Sequence, residues 1–430
     1  MAQASSSSWS ASHDPTWSSA FAASGLIWPL FLLVAIFNVA LPKGGIMVYG
    51  LPVTWGYMLI ALVGALASIS VIRRRDLQIA PIVQTFGLFL PLAVIVYYKA
   101  VQYNLSAAGW IPFAVIFGLF PILILAAIGP QLERIRTVDI ARAIRPMVRF
   151  AVAWGLMNFV LFLLTREIIE IPYVTVNIGD VGEILSKNNL RSGGLMKLVS
   201  TYNNGNVFGA CMVMLMPLYL YFEHRKIWRA LFIVALILTL SRTAWFSMSA
   251  AFIMMALAGQ IRLNRTGVWV SVAAAVCVLL VLLPLMGWSS ANLIDDRLGG
   301  RLVYLQDLKI SFFGAERIVI PEVVYFGLLQ SFGLFGFVLS LCALGFGAAF
   351  GIGHWQQLGR LRQAAVVGVL SYLAVCAMDG AMLYPPVFPI FLFLNALIYR
   401  RGYVPAADRS TDIAQRFGKR APGLTPVHLR

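Results

Sequence analysis

Arg191, Arg242, Arg297 and Arg301 are the residues whose setting first suggests chemistry. Arg242 is the single formal charge in the apolar run from Ala230 to Gly259, inside "LSRTAWFS". Arg297 and Arg301 flank "LGG", so both can reach one anion, either at helical spacing or from a glycine-loosened turn. Arg191 precedes "SGG" and then "YNNGN", a flexible polar turn leading into a helix. A guanidinium binds phosphate oxygens in pairs through its planar fork, so these arginines could together hold a phosphate-bearing ligand. Ser241 and Thr243 can cap a helix that begins beside Arg242, and the N–H groups of a helix start add positive potential there. Glu322, in "IPEVVYFGLLQSFGLFG", is a carboxylate where an amphipathic loop meets an apolar run, placed to accept a proton from a hydroxyl. Plainer roles compete. Arg242 could be a snorkelling anchor of a helical hairpin, and Glu322 could be an acid that stabilises a helix start just after Pro321.

The elements that carry these residues follow from composition. The chain of 430 residues is 60% hydrophobic and 12% charged, with mean hydropathy +0.83; soluble domains are about half apolar and a quarter charged. Apolar runs of the length that crosses a bilayer core recur from residue 24 to 399. The fold expected is an all-α polytopic membrane protein of about 12 crossings. They fall near 24–42, 53–72, 79–98, 110–129, 150–165, 206–222, 227–240, 245–260, 267–287, 323–352, 364–378 and 387–399. Residues 1–23 read as a disordered leader without the pattern of a cleaved signal, and 400–430 as a basic, disordered tail.

Charge sets the orientation. Basic clusters recur at alternate ends of the spans: Arg73 to Arg75, Arg134 to Arg149, Arg225 with Lys226 and Arg229, Arg262 with Arg265, Arg360 with Arg362, and Arg400 with Arg401. The positive-inside rule puts that side and both termini in the cytoplasm. Net charge +16 is then explained by these loops, and nucleic acid is not expected as a partner. The run from Ala230 to Gly259 has cytoplasmic signals at both ends, so two short crossings must turn at "LSRTAW" and bring Arg242 to the outer surface.

Two outer loops are long, about 166–205 and about 288–322, the second being the large loop before the tenth crossing. Long loops are functional more often than short ones. The 4 histidines (His13, His224, His354, His428) all fall on the inner side. No nucleotide loop, metal constellation or nucleophile motif is present, so a metal-independent chemistry without a cofactor is expected. The 4 cysteines (Cys211, Cys277, Cys342, Cys376) lie in apolar runs and read as buried, inert thiols.

In their order and spacing these segments resemble the superfamily of O-antigen ligases and Wzy-type polysaccharide polymerases. "LSRTAWFS" is similar to its Ser-Arg-x-x-(Trp/Leu) signature. "RSGGLMKLVSTYNNGNVFGA" resembles its Arg-x-x-Gly…Asn-Pro-Asn segment, with Asn204 and Asn206 at the two asparagine positions. "RLVYLQDLKISFFG" resembles the outer-loop stretch that ends in a Phe-Gly step, and "EVVYFGLLQSFGLFGFVL" the segment leading into the next helix. The likeness spans roughly 190–340. Two positions depart from the pattern: Gly205 replaces the proline of Asn-Pro-Asn, and Glu322 stands where ligases place a histidine, which weakens the ligase reading more than the polymerase one.

The resemblance implies a GT-C-like glycosyltransferase at the periplasmic face of the bacterial inner membrane. Its donor and acceptor would be glycans on undecaprenyl diphosphate. Arg242 and Glu322 would be catalytic, and Arg191, Arg297, Arg301, Ser241, Asn204 and Asn206 would hold the diphosphate and glycan. A flippase and a chain-length regulator would be partners. Polymerisation of repeat units into capsular, exopolysaccharide or O-antigen chains is the first reading; a ligase transferring glycan to lipid A core or protein is the second. A transporter or flippase is the third, and the absence of internal repeats and of mid-span charges counts against it.

Overall fold

The computed structural model of the protein describes residues 27–48, 51–74, 78–185, 189–190, 194–261, 310–320 and 323–401. Where water is excluded, a backbone must satisfy its own polar groups, and a helix does so within one segment. The apolar runs accordingly fold as helices: α1 (Trp28–Ala40), α2 (Trp55–Arg74), α3 (Ile79–Gln102), α4 (Ala107–Leu132), α5 (Thr137–Thr165), α6 (Gly205–Phe222), α7 (Lys226–Leu238), α8 (Arg242–Leu257), α9 (Val324–Gly353), α10 (Arg360–Cys376) and α11 (Val387–Tyr399). Among the described residues, 6 helices (α2 to α6 and α9) are long and apolar enough to cross a membrane. Every expected crossing except 267–287 coincides with a helix, and that one lies outside the described residues.

The surface fits a lipid environment. Ile72, Leu164 and Leu257 are 76%, 79% and 84% exposed, which water would penalise and acyl chains would not. The most enclosed of these six helices is α6, with 83% of its apolar window buried. It packs against α5, α8, α10 and α11. Close approach is achieved with glycine: a Cβ at Gly368 of α10 would lie 2.4 Å from the Met214 carbonyl oxygen of α6. Two polar side chains deep in the bundle pair with each other and with backbone. Gln84 Nε2 donates to the Ala343 carbonyl at 2.9 Å, and Tyr399 Oη donates to Gln84 Oε1 at 2.7 Å.

The structure departs from the sequence expectation in three respects. The fold is not wholly helical: Gly45–Val48 (β1) and Leu51–Thr54 (β2) pair as an antiparallel hairpin between α1 and α2. Helix α5 starts at Thr137, not near 150, so Arg142, Arg145 and Arg149 belong to a helix and not to a loop. Cys342 is exposed on α9, whereas Cys211 and Cys376 are buried as expected; Cys277 lies outside the described residues.

Contacts between loops define one end of the bundle. The long segment after α5 caps it: Asn177 Nδ2 donates to the Ile46 carbonyl of the hairpin at 3.0 Å, and Trp55 Nε1 to the Tyr173 carbonyl at 2.7 Å. The same segment dips between helices. Tyr202 Oη donates to the Val39 carbonyl at 2.8 Å, and Ser200 Oγ to the Ala151 carbonyl at 2.5 Å. On the other flank, residues 310–320 lie across a break in α9 at Gly333 (φ 68°, ψ −171°). There Leu334 N donates to the Ser311 carbonyl at 3.0 Å and Ala315 N to the Gln330 carbonyl at 2.7 Å. A Cβ at Gly333 would sit 2.4 Å from the Gly314 nitrogen, so the crossing requires glycine on steric grounds as well as for its positive φ.

Candidate functional site at the capped end of the bundle

The start of α6 is built by asparagines. Asn204 Oδ1 accepts from Asn206 N at 2.8 Å and Val207 N at 3.4 Å, which is the N-cap that its residue type favours. Asn189, fully buried, accepts from Gly205 N through Oδ1 at 3.4 Å and donates through Nδ2 to the Asn203 and Ile184 carbonyls. The first N–H groups of α6 are thus satisfied by side chains. Lys197, 2% exposed, runs across this turn: a Cβ on Gly205 would lie 2.9 Å from its Cβ and 3.2 Å from its Cδ. The absent Cβ of Gly205 is therefore what lets a buried lysine cross the helix start.

The turn between α7 and α8 lies beside it. Leu240 takes a left-handed conformation (φ 49°), and the chain re-enters a helix at Arg242. Ser241 Oγ accepts from Ala244 N at 3.4 Å, so Ser241 is the cap that the sequence suggested; Thr243 is buried within the first turn and is not the cap. Trp245 Nε1 donates to the Ile237 carbonyl at 3.0 Å and ties the two helices together. Arg242 is half-buried. A Cβ on Gly209 of α6 would lie 2.7 Å from the Ala244 Cβ of α8. The first turns of the two helices are therefore side by side, with Asn206 three residues and Arg242 two residues nearer the same end.

A third element closes the group. Asp379, just beyond α10 and 5% exposed, accepts through Oδ2 from Asn206 Nδ2 at 2.6 Å. The next residue, Gly380, packs so tightly on the start of α9 that an added Cβ would lie 2.4 Å from Val324 Cγ2. Lys43, between α1 and the hairpin, has its Nζ 5.4 Å from the centre of the Tyr384 ring in the same turn. Residues bearing guanidinium, ammonium, amide and carboxylate groups, from separate parts of the chain, thus lie near the starts of α6, α8 and α9.

Of the residues singled out from sequence, Arg242, Ser241, Asn204 and Asn206 are brought together here, with Ser241 and Asn204 engaged as caps. Arg191, Arg297, Arg301 and Glu322 lie outside the described residues; Val323, next to Glu322, is buried beside Val324. The described histidines, His224 and His354, follow the far ends of α6 and α9. Lys197, Asp379 and Lys43 were not singled out. Their signal in the sequence is slight: a lone lysine within "GLMKLV" and a lone acid in "CAMDGAML", each at the edge of an apolar run.

The opposite end carries a different pair. Arg149 Nε and Nη2 donate to the two oxygens of Glu223 at 2.6 and 2.8 Å, with Glu223 fully buried. Burial alone would raise this carboxyl, but the Arg149 hydrogen bonds and the Arg225 N–H outweigh it and hold the group at about 2. Arg400 is seated at that end on the Leu132 and Ile135 carbonyls at 3.0 and 2.6 Å. No ligand chemistry is needed to explain either arrangement.

No family model, no curated protein and no solved structure matches the chain. The functional reading rests on its own residues.

Proposed function

We propose that the protein polymerises oligosaccharide repeat units carried on undecaprenyl diphosphate, at the periplasmic face of a bacterial inner membrane. The observation that carries this reading is that two helix starts lie side by side at the capped end of the bundle: that of α8, which bears Arg242, and that of α6, which bears the Asn206–Asp379 contact. A cation fixed at that depth suits a diphosphate whose lipid tail stays in the bilayer.

In the proposed reaction, a hydroxyl of one lipid-linked glycan attacks the anomeric carbon of another. A new glycosidic C–O bond forms, and the bond from the anomeric carbon to the phosphate oxygen breaks. Undecaprenyl diphosphate leaves with the bonding pair, and the hydroxyl proton passes to a carboxylate, for which Glu322 is the candidate. Charge grows on the bridging oxygen as the bond breaks. Fixed guanidinium groups stabilise it most in the transition state: Arg242, with Arg297, Arg301 and Arg191 from the outer loops. Ser241, Asn204 and Asn206 hold the helix starts that present these groups.

The test is deletion of the gene in its own host, followed by analysis of cell polysaccharide and lipid-linked intermediates. The expected result is loss of long polymer and accumulation of lipid carriers bearing a single repeat unit. Unchanged polymer would overturn the proposal, and full-length polymer stranded on the lipid carrier would turn it to the ligase reading.

A further inference from the structure

We infer that Asp379 is a positioning residue that locks the Asn206 amide so that its carbonyl oxygen receives a hydroxyl of the bound glycan. The inference rests on the proposed function and names the part of the site that meets sugar and not phosphate. An asparagine amide can usually be turned either way round, because its oxygen and nitrogen have nearly the same shape. Here the choice is made by chemistry. Only the NH2 group can face a carboxylate as donor, and the 2.6 Å contact to Asp379 Oδ2 fixes it there. Asn206 Oδ1 must then point the other way. That oxygen is buried and has no hydrogen-bond partner among the described residues.

An orphaned, buried acceptor is costly to leave unmade. The backbone N–H groups of the first turn of α6 are satisfied by Asn204 and Asn189; the Asn203 Nδ2 group just before the helix is a buried donor that also has no hydrogen-bond partner among the described residues. The site therefore offers an acceptor in need of an O–H, beside cations that would hold phosphate. A sugar hydroxyl supplies that donor, whereas a fully ionised diphosphate does not. Asp379 is sequestered at 5% exposure and acts through Asn206, not on the ligand.

The experiment uses the full chain, purified in nanodiscs, with two probes. One is undecaprenyl diphosphate, which has no sugar. The other is the free oligosaccharide released by mild acid from the lipid-linked pool of the deletion strain, which has no phosphate. The variants are Asp379→Leu, which removes the carboxylate at similar size, and the double exchange Asn206→Asp with Asp379→Asn. In the exchanged pair only residue 379 can donate and only residue 206 can accept, so an oxygen still faces the ligand.

Oligosaccharide affinity is expected to fall several-fold to about tenfold in Asp379→Leu, the loss of one neutral hydrogen bond, and to return in the exchanged pair. Undecaprenyl diphosphate affinity should change less than oligosaccharide affinity in both. Equal loss of the two probes, unchanged oligosaccharide binding in Asp379→Leu, or no oligosaccharide binding by the parent protein would overturn the inference. Should Asp379→Leu fail to fold, failure of the exchanged pair to bind oligosaccharide would overturn it alone. A parent protein that binds the oligosaccharide but not undecaprenyl diphosphate would sink the proposed function while leaving the hydroxyl site standing.

Discussion

Gly209 of α6 and Ala244 of α8 touch where a side chain would not fit: a Cβ on Gly209 would come within 2.7 Å of the Ala244 Cβ. This contact sets the distance between the two helix starts that carry Asn206 and Arg242. Gly209→Ala should push the helices apart at that end and cost about 1–3 kcal/mol of stability, as overpacking usually does. Polymer formation should fall by more than the loss of folded protein explains. Thermal unfolding of the purified variant beside its turnover per folded molecule checks this. Full turnover in a destabilised variant would mean that the spacing of the two starts is irrelevant to activity.

The ion pair at the far end makes a prediction about pH. Glu223 is held at about 2 against an ordinary 4.5. A carboxyl depressed by folding adds stability above its ordinary value, and this is lost as pH falls through 4.5 toward 2. A shift of that size is worth roughly 3 kcal/mol. The parent protein should therefore lose thermal stability steeply in that window, and Glu223→Gln should show a shallower loss while being less stable at neutral pH. Arg149→Ala, which strands a buried carboxylate, should cost about 3–5 kcal/mol. A parallel pH dependence in parent and Glu223→Gln would contradict the assignment.

Much of the capped end was legible in the sequence because local chemistry dictates it. Asn204 and Ser241 are cap-forming residue types standing just before apolar runs, and both are caps. "LSRTAW" had to turn because the charge signals at its two ends agree. Asp379 and Lys197 were illegible for a physical reason. Asp379 meets Asn206 across 173 residues of chain, and Lys197 is buried only because Gly205 leaves room for its stem. Neither contact has a local pattern. The hairpin at 45–54 is too short to show a strand pattern, and the arginines before residue 150 hide the start of α5 because a basic cluster resembles a loop. Arg149 in fact faces inward to Glu223.

Orientation is tested with single cysteines in a background lacking the native ones. Glu167, exposed in the capping segment, and Lys226, exposed at the start of α7, lie at opposite ends of the bundle. Glu167→Cys should react with a membrane-impermeant thiol reagent added to intact spheroplasts, and Lys226→Cys only after permeabilisation. The reverse pattern would put the site in the cytoplasm and rule out a periplasmic polymerase.

The most direct measurement is the turnover of Arg242 variants with purified lipid-linked repeat units in nanodiscs, at matched amounts of folded protein. Removing a charge-assisted contact that strengthens in the transition state should cost about 2–4 kcal/mol, a hundredfold or more in rate. Arg242→Ala should show that loss. Arg242→Lys should recover only part of it, because an ammonium keeps the charge but not the paired geometry. Binding of the lipid-linked donor should weaken far less than turnover falls. Turnover of Arg242→Ala within a few-fold of the parent would contradict the account, and Arg242 would then be an anchor of the α7–α8 hairpin and no part of a diphosphate site.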